Sequence, residues 1–411
     1  MKRVLMIAYH FPPLAGSSGI QRTLRFVQQL PGCGWEPIVL TAHPRAYATV
    51  GDDLLREVPD ATVVERAFAL DSSRHLAILR RYPAALARPD RWLPWYWGAV
   101  PAGLRLVRRY RPVALWSTYP IATAHLIGAA LRRRTELPWV ADFRDPMAQD
   151  GYPADPKTWQ AFKAIEDEAL HAAACSAFTT PGAARMYRER YPDVPAGRVT
   201  VIENGYDEES YAGLGASPPL NPGKVTLLHS GIVYPSERDP TQLFAALRRL
   251  RDAGVLNADS FSLRLRAPEH DAMLRTLAAE HGTADLIEIL PPIAYRDALE
   301  EMLRADGLLL LQAANCNEQI PAKLYEYLRA GRPVLGLTDP AGDTAGALRA
   351  AGLTDIASLD SADAIRTALA RFVERVRAGT AVLPSAEHVA RASRRARTRE
   401  LASLLDRVSE N

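Results

Sequence analysis

At 411 residues the chain is too long for one compact core, and two domains are the default. Its composition, 48% hydrophobic and 24% charged, is that of a globular protein and excludes a disordered or fibrous one. Net charge is only +3, and no apolar run approaches the length of a membrane span. The three cysteines, Cys33, Cys175 and Cys316, are widely spaced and odd in number. They predict neither a disulfide framework nor a metal site, which fits a reducing cytoplasm.

In chain order, residues 4–9 read as a strand rather than a signal peptide, because the apolar stretch is short and no small-residue cleavage pattern follows. Pro12, Pro13, Gly16, Ser17 and Gly19 come next, before a helix with Ile20, Leu24 and Val27 on one face. A glycine loop between strand and helix lets backbone approach a phosphate or sugar closely. It lacks the G-x-G-x-x-G spacing of dinucleotide folds, and a tight turn would give the same residues. Further strands are expected at 37–41, 113–117, 139–143, 177–180 and 199–203. A second series is expected at 225–229, 262–266, 286–290, 307–312 and 334–337. Helical stretches fall between them, which predicts parallel sheets built from βαβ units.

Between residues 74 and 134 lie twelve arginines and one acidic residue, Asp90, together with Trp92, Trp95, Trp97 and Trp116. Basic residues with interfacial tryptophans suit an anionic membrane surface or a lipid-linked acceptor. The plainer reading, slightly favoured, is an Arg-rich protein that exposes Arg and buries Trp. No nucleic-acid-binding module accompanies the patch. His125 falls on a helix and reads as packing.

Asp142, Arg144 and Asp145 close the strand at 139–143, at the sheet end where ligands bind. A structural Asp–Arg pair is the alternative. Asn204-Gly205 is a turn signal, and residues 214–223 are rich in Gly, Pro and Ser. These mark a joint, giving domains at 1–214 and 215–384, with a helix at 385–411 capped by Ser385 and expected to pack back toward the first domain. Gly231 and Arg238 follow the first strand of the second series; Arg238 suits bidentate contact with a diphosphate, or is a surface charge.

The densest motif is at 317–335. Pro321 is placed to open a helix and Gly331 to close it. Lys323 then sits at the helix start, where amides and dipole favour a phosphate. Only five of the fifty Lys and Arg residues are lysines, so a compact ammonium here is notable. Glu318 and Glu326 flank it as acceptors for hydroxyls, which together describe a nucleotide-sugar. Cys316 reads as a small buried thiol.

Together these features resemble the retaining glycosyltransferases of the two-domain GT-B fold, family 4, and within it a bacterial surface-glycan subgroup. The resemblance rests on Glu203-Asn204-Gly205-Tyr206-Asp207 before the linker, on Glu318 and Glu326, and on Ala330-Gly331-Arg332-Pro333-Val334. It implies an α/β fold of two doubly wound Rossmann-like domains facing a cleft. It implies transfer of a sugar from a nucleoside diphosphate sugar to a hydroxyl, on a glycan or lipid-linked acceptor. Glu318 would touch the transferred sugar and Glu326 the ribose. Lys323 and Arg238 would neutralise the departing diphosphate. Gly16, Ser17 and Gly19, with Gly231, would line the donor. Asp142 is a catalytic candidate, Arg144 and Asp145 acceptor-side ones. No metal is expected, since no cluster stands at ligand spacing. The chain departs from the family at Ile232 and Glu237, where an arginine and a lysine are usual, and at Gln319-Ile320-Pro321, where glycines are usual. The histidine many members carry near residues 116–119 is also missing. A nucleotide-sugar epimerase, a non-catalytic glycan-assembly scaffold and an oxidoreductase are the competing classes.

Overall fold

The computed structural model describes every residue except 18, 78, 80, 83, 216, 217 and 411. Ser18 of the glycine loop, Arg80 of the basic stretch and part of the 214–223 linker therefore lie outside the described residues. The chain divides into two compact units, Met1–Glu203 with Arg394–Asn411, and Asn204–Ser393.

Unit 1 is built on β1 (Lys2–Ile7), β2 (Trp35–Ala42), β3 (Val63–Ala67), β4 (Ala114–Thr118), β5 (Trp139–Phe143), β6 (Cys175–Phe178) and β7 (Val199–Val201). All pair in parallel in the order β3-β2-β1-β4-β5-β6-β7. The helices between them are α1 (Gly19–Gln29), α2 (Ser72–His75), α3 (Pro94–Tyr110), α4 (Ala122–Thr135), α5 (Pro156–Ala172) and α6 (Pro181–Arg190). Strands β1, β4 and β5 are buried along nearly their whole length, which is why they read as unbroken apolar runs. The edge strand β3 escaped the sequence reading because Glu65 and Arg66 interrupt its apolar residues and most of it is only half-buried.

Unit 2 repeats the plan with β8 (Val225–Ser230), β9 (Phe261–Arg266), β10 (Ile287–Leu290), β11 (Gly307–Leu311), β12 (Val334–Leu337) and β13 (Ile356–Ala357). Their order is β10-β9-β8-β11-β12-β13, again parallel. Its helices are α7 (Thr241–Asp252), α8 (Asp271–Glu280), α9 (Tyr295–Arg304), α10 (Lys323–Ala330), α11 (Asp343–Ala350), α12 (Ala362–Arg377) and α13 (Ala386–Arg391). Strand β13 has only two residues and leaves no periodic trace in the sequence.

The last helix differs from expectation. Ser385 does cap a helix, its hydroxyl accepting from the His388 amide at 3.3 Å, but that helix is the short α13. The chain leaves helical geometry at Ser393, which pairs with Tyr206 in a parallel bridge. A separate helix, α14 (Arg394–Ser409), then carries Leu401, Leu404, Leu405 and Val408 into the unit 1 core beside Leu24 and Val27.

In each sheet the order reverses beside the first strand, between β1 and β4 and between β8 and β11. Loops leaving the carboxyl ends of those strands splay apart there and leave room for ligand. The glycine loop follows β1, and the Gly231 segment and the residues before α10 follow β8 and β11.

Candidate functional site

In unit 2 two segments far apart in sequence come together, the one around Gly231 and the start of α10. Gly231 takes φ +112, a left-handed conformation suited to glycine, and a methyl group there would stand 3.1 Å from Lys323 Nζ. Lys323 is the first residue of α10, held by the first turn's bond from the Leu324 amide to the Pro321 carbonyl at 2.9 Å. Pro321 thus stands just outside the helix and Ala322 caps it, while Gly331 ends it at φ +65. After Gly331 the Pro333 carbonyl accepts from the Leu308 amide at 2.9 Å, so the Gly-Arg-Pro turn feeds directly into pairing beside β11.

The ammonium of Lys323 has a neutral partner. It donates to His229 Nε2 at 3.0 Å, and His229 Nδ1 donates to the Leu309 carbonyl at 2.9 Å. The carbonyl can only accept, so the proton sits on Nδ1 and Nε2 offers its lone pair. Burial, then the Lys323 charge, holds His229 well below the usual imidazole range. Burial, then the Arg238 charge, holds Lys323 well below the usual amine range, against an opposing pull from Glu326. Arg238 also meets a neutral acceptor, the Ile232 carbonyl at 2.6 Å, with its guanidinium over the Tyr234 ring. Two cations crowd one site with neutral partners, a charge arrangement suited to a diphosphate.

Glu326, in the first turn of α10, accepts from Tyr295 Oη at 2.7 Å, and the Tyr211 hydroxyl donates to its backbone carbonyl at 3.0 Å. Glu318 is exposed on the turn before α10. That turn is anchored by Gln312, which donates to the Cys316 carbonyl at 2.7 Å and accepts from Thr344 Oγ1 at 2.6 Å. Cys316 is buried, and burial raises its thiol pKa, as suits a packing residue.

In unit 1, Gly16 takes φ +77 with open space around it. Ser17 Oγ accepts from the Gly19 amide and lies 3.3 Å from His10 Nδ1. Asp142 departs from the catalytic role expected of it. It is 1% exposed, and both carboxylate oxygens are taken by Arg22, at 2.7 and 3.0 Å, with Thr118 Oγ1 adding a bond at 2.8 Å. Arg22 continues to the carbonyls of Ile202 and Glu203, so the pair ties α1 and β5 to the end of the first unit. The Asp142 carboxylate is thus committed to Arg22 and Thr118. Asp145 is exposed and Arg144 is half-buried. His125 is buried against Trp139 and Phe143, its pKa lowered to about 3 by burial, in keeping with packing.

Two residues of these sites escaped the sequence reading, His229 and His10. Each lies at or just past the carboxyl end of the first strand in its sheet, and that position was the available signal. Of the four tryptophans in the basic stretch, Trp95 (0%) and Trp116 (1%) are buried and Trp92 is half-buried, while Trp97 is 53% exposed. Among the described residues no group of three or more His, Cys, Asp or Glu is arranged to hold a metal ion, and no helix is long and apolar enough to cross a membrane.

A family model described as a glycosyl transferase 4-like domain matches residues 18–205. Among curated proteins no sequence matches the chain. Among solved structures it is similar to the N-terminal domain of Candida albicans trehalose-6-phosphate phosphatase (TM-score 0.66, 13% identity, 99% of this chain and 97% of that one). It is similar to the lipopolysaccharide outer core galactosyltransferase WaaB in its apo form (TM-score 0.61, 12% identity, 98% and 99%). It is also similar to Anabaena Alr3699/HepE, solved in complex with UDP-glucose (TM-score 0.57, 13% identity, 100% and 97%). The chain has a two-domain, Rossmann-like GT-B fold.

Proposed function

We propose that the protein is a retaining glycosyltransferase, moving a sugar from a nucleoside diphosphate sugar to a hydroxyl in bacterial polysaccharide or glycoconjugate synthesis. One observation carries the reading: Lys323 and Arg238 converge at the Gly231 turn, each held by a neutral partner. In this reading residues 215–384 form the donor domain and residues 1–214 the acceptor-side domain. The matched family model and the UDP-glucose complex of Alr3699/HepE support the same substrate class.

Breaking the glycosyl–phosphate bond builds negative charge on the leaving diphosphate. Lys323 and Arg238 stabilise that charge, and one such donor is typically worth about 3 kcal/mol of barrier. Glu326 accepts from a ribose hydroxyl and Glu318 from the transferred sugar. The leaving phosphate takes the acceptor's proton, so no separate base is required. We further propose that the protein is cytoplasmic and rests peripherally on the inner face of the membrane. Supporting this, the exposed Trp97 shares helix α3 with the exposed Arg105 and Arg108.

A thermal-shift panel of UDP, GDP, ADP and TDP and their sugars tests the reading, with stabilisation by one base family expected. Turnover assays then separate the classes. Consumption of nucleotide-sugar without acceptor would mean an epimerase, and binding without release under any acceptor a scaffold.

A further inference from the structure

Arg144 is a motif residue whose charge the donor chemistry leaves unused. Its backbone is pinned, with the carbonyl accepting from Thr179 Oγ1 at 2.6 Å. Its guanidinium, in contrast, makes no hydrogen bond or ion pair among the described residues, and Nε is buried without a partner. Neither neighbouring carboxylate is bonded to it: Asp142 is committed to Arg22, and Asp145 is exposed and acts on it only at longer range. Burial draws the guanidinium below its ordinary pKa. An enclosed cation of five donors and no acceptor leaves a desolvation cost that an oxyanion would offset.

The guanidinium points at the start of a helix. A methyl group on Gly19, the first residue of α1, would stand 2.4 Å from Arg144 Nη1 and 2.4 Å from His10 Nδ1. Only a glycine lets both groups reach the first turn. Helix α1 is eleven residues long and has no acidic side chain in that turn, so its dipole is not cancelled locally. His10 is held down to about 4 by burial and then by the Arg144 charge, so near neutral pH it adds a hydrogen-bonding group without a competing charge.

We propose that Arg144, beside the start of α1, binds an oxyanion, a phosphate or carboxylate carried by the acceptor substrate. The word acceptor rests on the glycosyltransferase reading; the oxyanion site does not.

The test uses full-length protein carrying Lys323→Ala, which disables the other anion site, with inorganic phosphate as probe. Phosphate should raise the unfolding midpoint above that in sodium chloride of equal ionic strength. Adding Arg144→Gln should abolish the rise, and adding Gly19→Ala should reduce it, because its methyl displaces the guanidinium. Should Arg144→Gln fail to fold, Gly19→Ala reads the same site. A rise that neither substitution changes, or no rise at all, overturns the proposal. A second arm separates the source of the anion. Arg144→Gln alone should leave nucleoside diphosphate affinity within about twofold of wild type while raising the acceptor KM about tenfold. A tenfold loss of nucleoside diphosphate affinity would instead assign the site to the donor and overturn the acceptor claim. If wild type binds no nucleoside diphosphate, the glycosyltransferase reading fails and the acceptor with it, while phosphate binding that depends on Arg144 would still stand.

Discussion

Two arginine- and lysine-bearing regions of this molecule look alike in sequence and differ in what surrounds the charge. At the end of β5, Arg22 is bound bidentately by the buried carboxylate of Asp142, and its charge is neutralised. At the start of α10, Lys323 is bound by an imidazole lone pair and Arg238 by a peptide carbonyl, and neither charge is neutralised by its partner. A buried cation paired with a carboxylate holds the fold together. A half-buried cation oriented by neutral dipoles is kept available for an anion, and burial with the Arg238 charge lowers the pKa of Lys323.

The comparison breaks first at the structural pair. Asp142→Ala leaves Arg22 buried and uncompensated and should cost about 3–5 kcal/mol, read by urea unfolding. The double substitution Arg22→Met with Asp142→Leu should recover most of that loss, as apolar replacements of buried pairs do. Lys323→Ala should behave in the opposite way. Transfer should fall by about 10²-fold, the weight of one donor to a developing oxyanion, with the unfolding midpoint unchanged or raised. Equal turnover in Lys323→Ala and wild type would remove the lysine from the site. Glu326→Ala should also reduce transfer, by about tenfold, through a weaker hold on the ribose.

His229 sharpens the contrast. Replacing it by Phe keeps the bulk and removes the acceptor, so Lys323 loses its orientation. Transfer should drop by about tenfold, whereas His229→Gln, which keeps an acceptor, should retain more of it. A merely structural histidine would show no such rescue. The smallest expected effect concerns His10. Its folded pKa lies near 4 against an ordinary value of 6.5, so the unfolded chain binds the proton first. The contribution of this residue is complete above about pH 6.5 and is lost as pH falls toward 4, at most about 3 kcal/mol. His10→Asn should flatten that part of the stability profile.

Much of the fold was legible because buried parallel strands are continuous apolar runs. The strands near 139–143, 225–230 and 334–337 stand out for that reason, while β3 and β13 are hidden by an edge position and by shortness. The position of Lys323 at a helix start followed from Pro321 and Gly331. Partner choice was not legible. Whether Asp142 serves chemistry or Arg22 depends on residues 120 positions apart in sequence, a pairing that no local pattern encodes. His229 was invisible for the same reason: its role exists only because β11 supplies the Leu309 carbonyl and α10 the amine.

The central claim is that Lys323 is held by neutral partners and waits for an anion. Calorimetric titration of nucleoside diphosphate, repeated in buffers of different ionisation enthalpy, tests it most directly. An incoming diphosphate raises the lysine's depressed pKa, so binding should take up protons between the lysine pKa of the free protein and that of the complex, and affinity should weaken as pH rises through that window. Lys323→Ala should abolish the uptake and weaken binding by about tenfold or more. Proton-neutral binding of equal strength in wild type and Lys323→Ala would contradict the account.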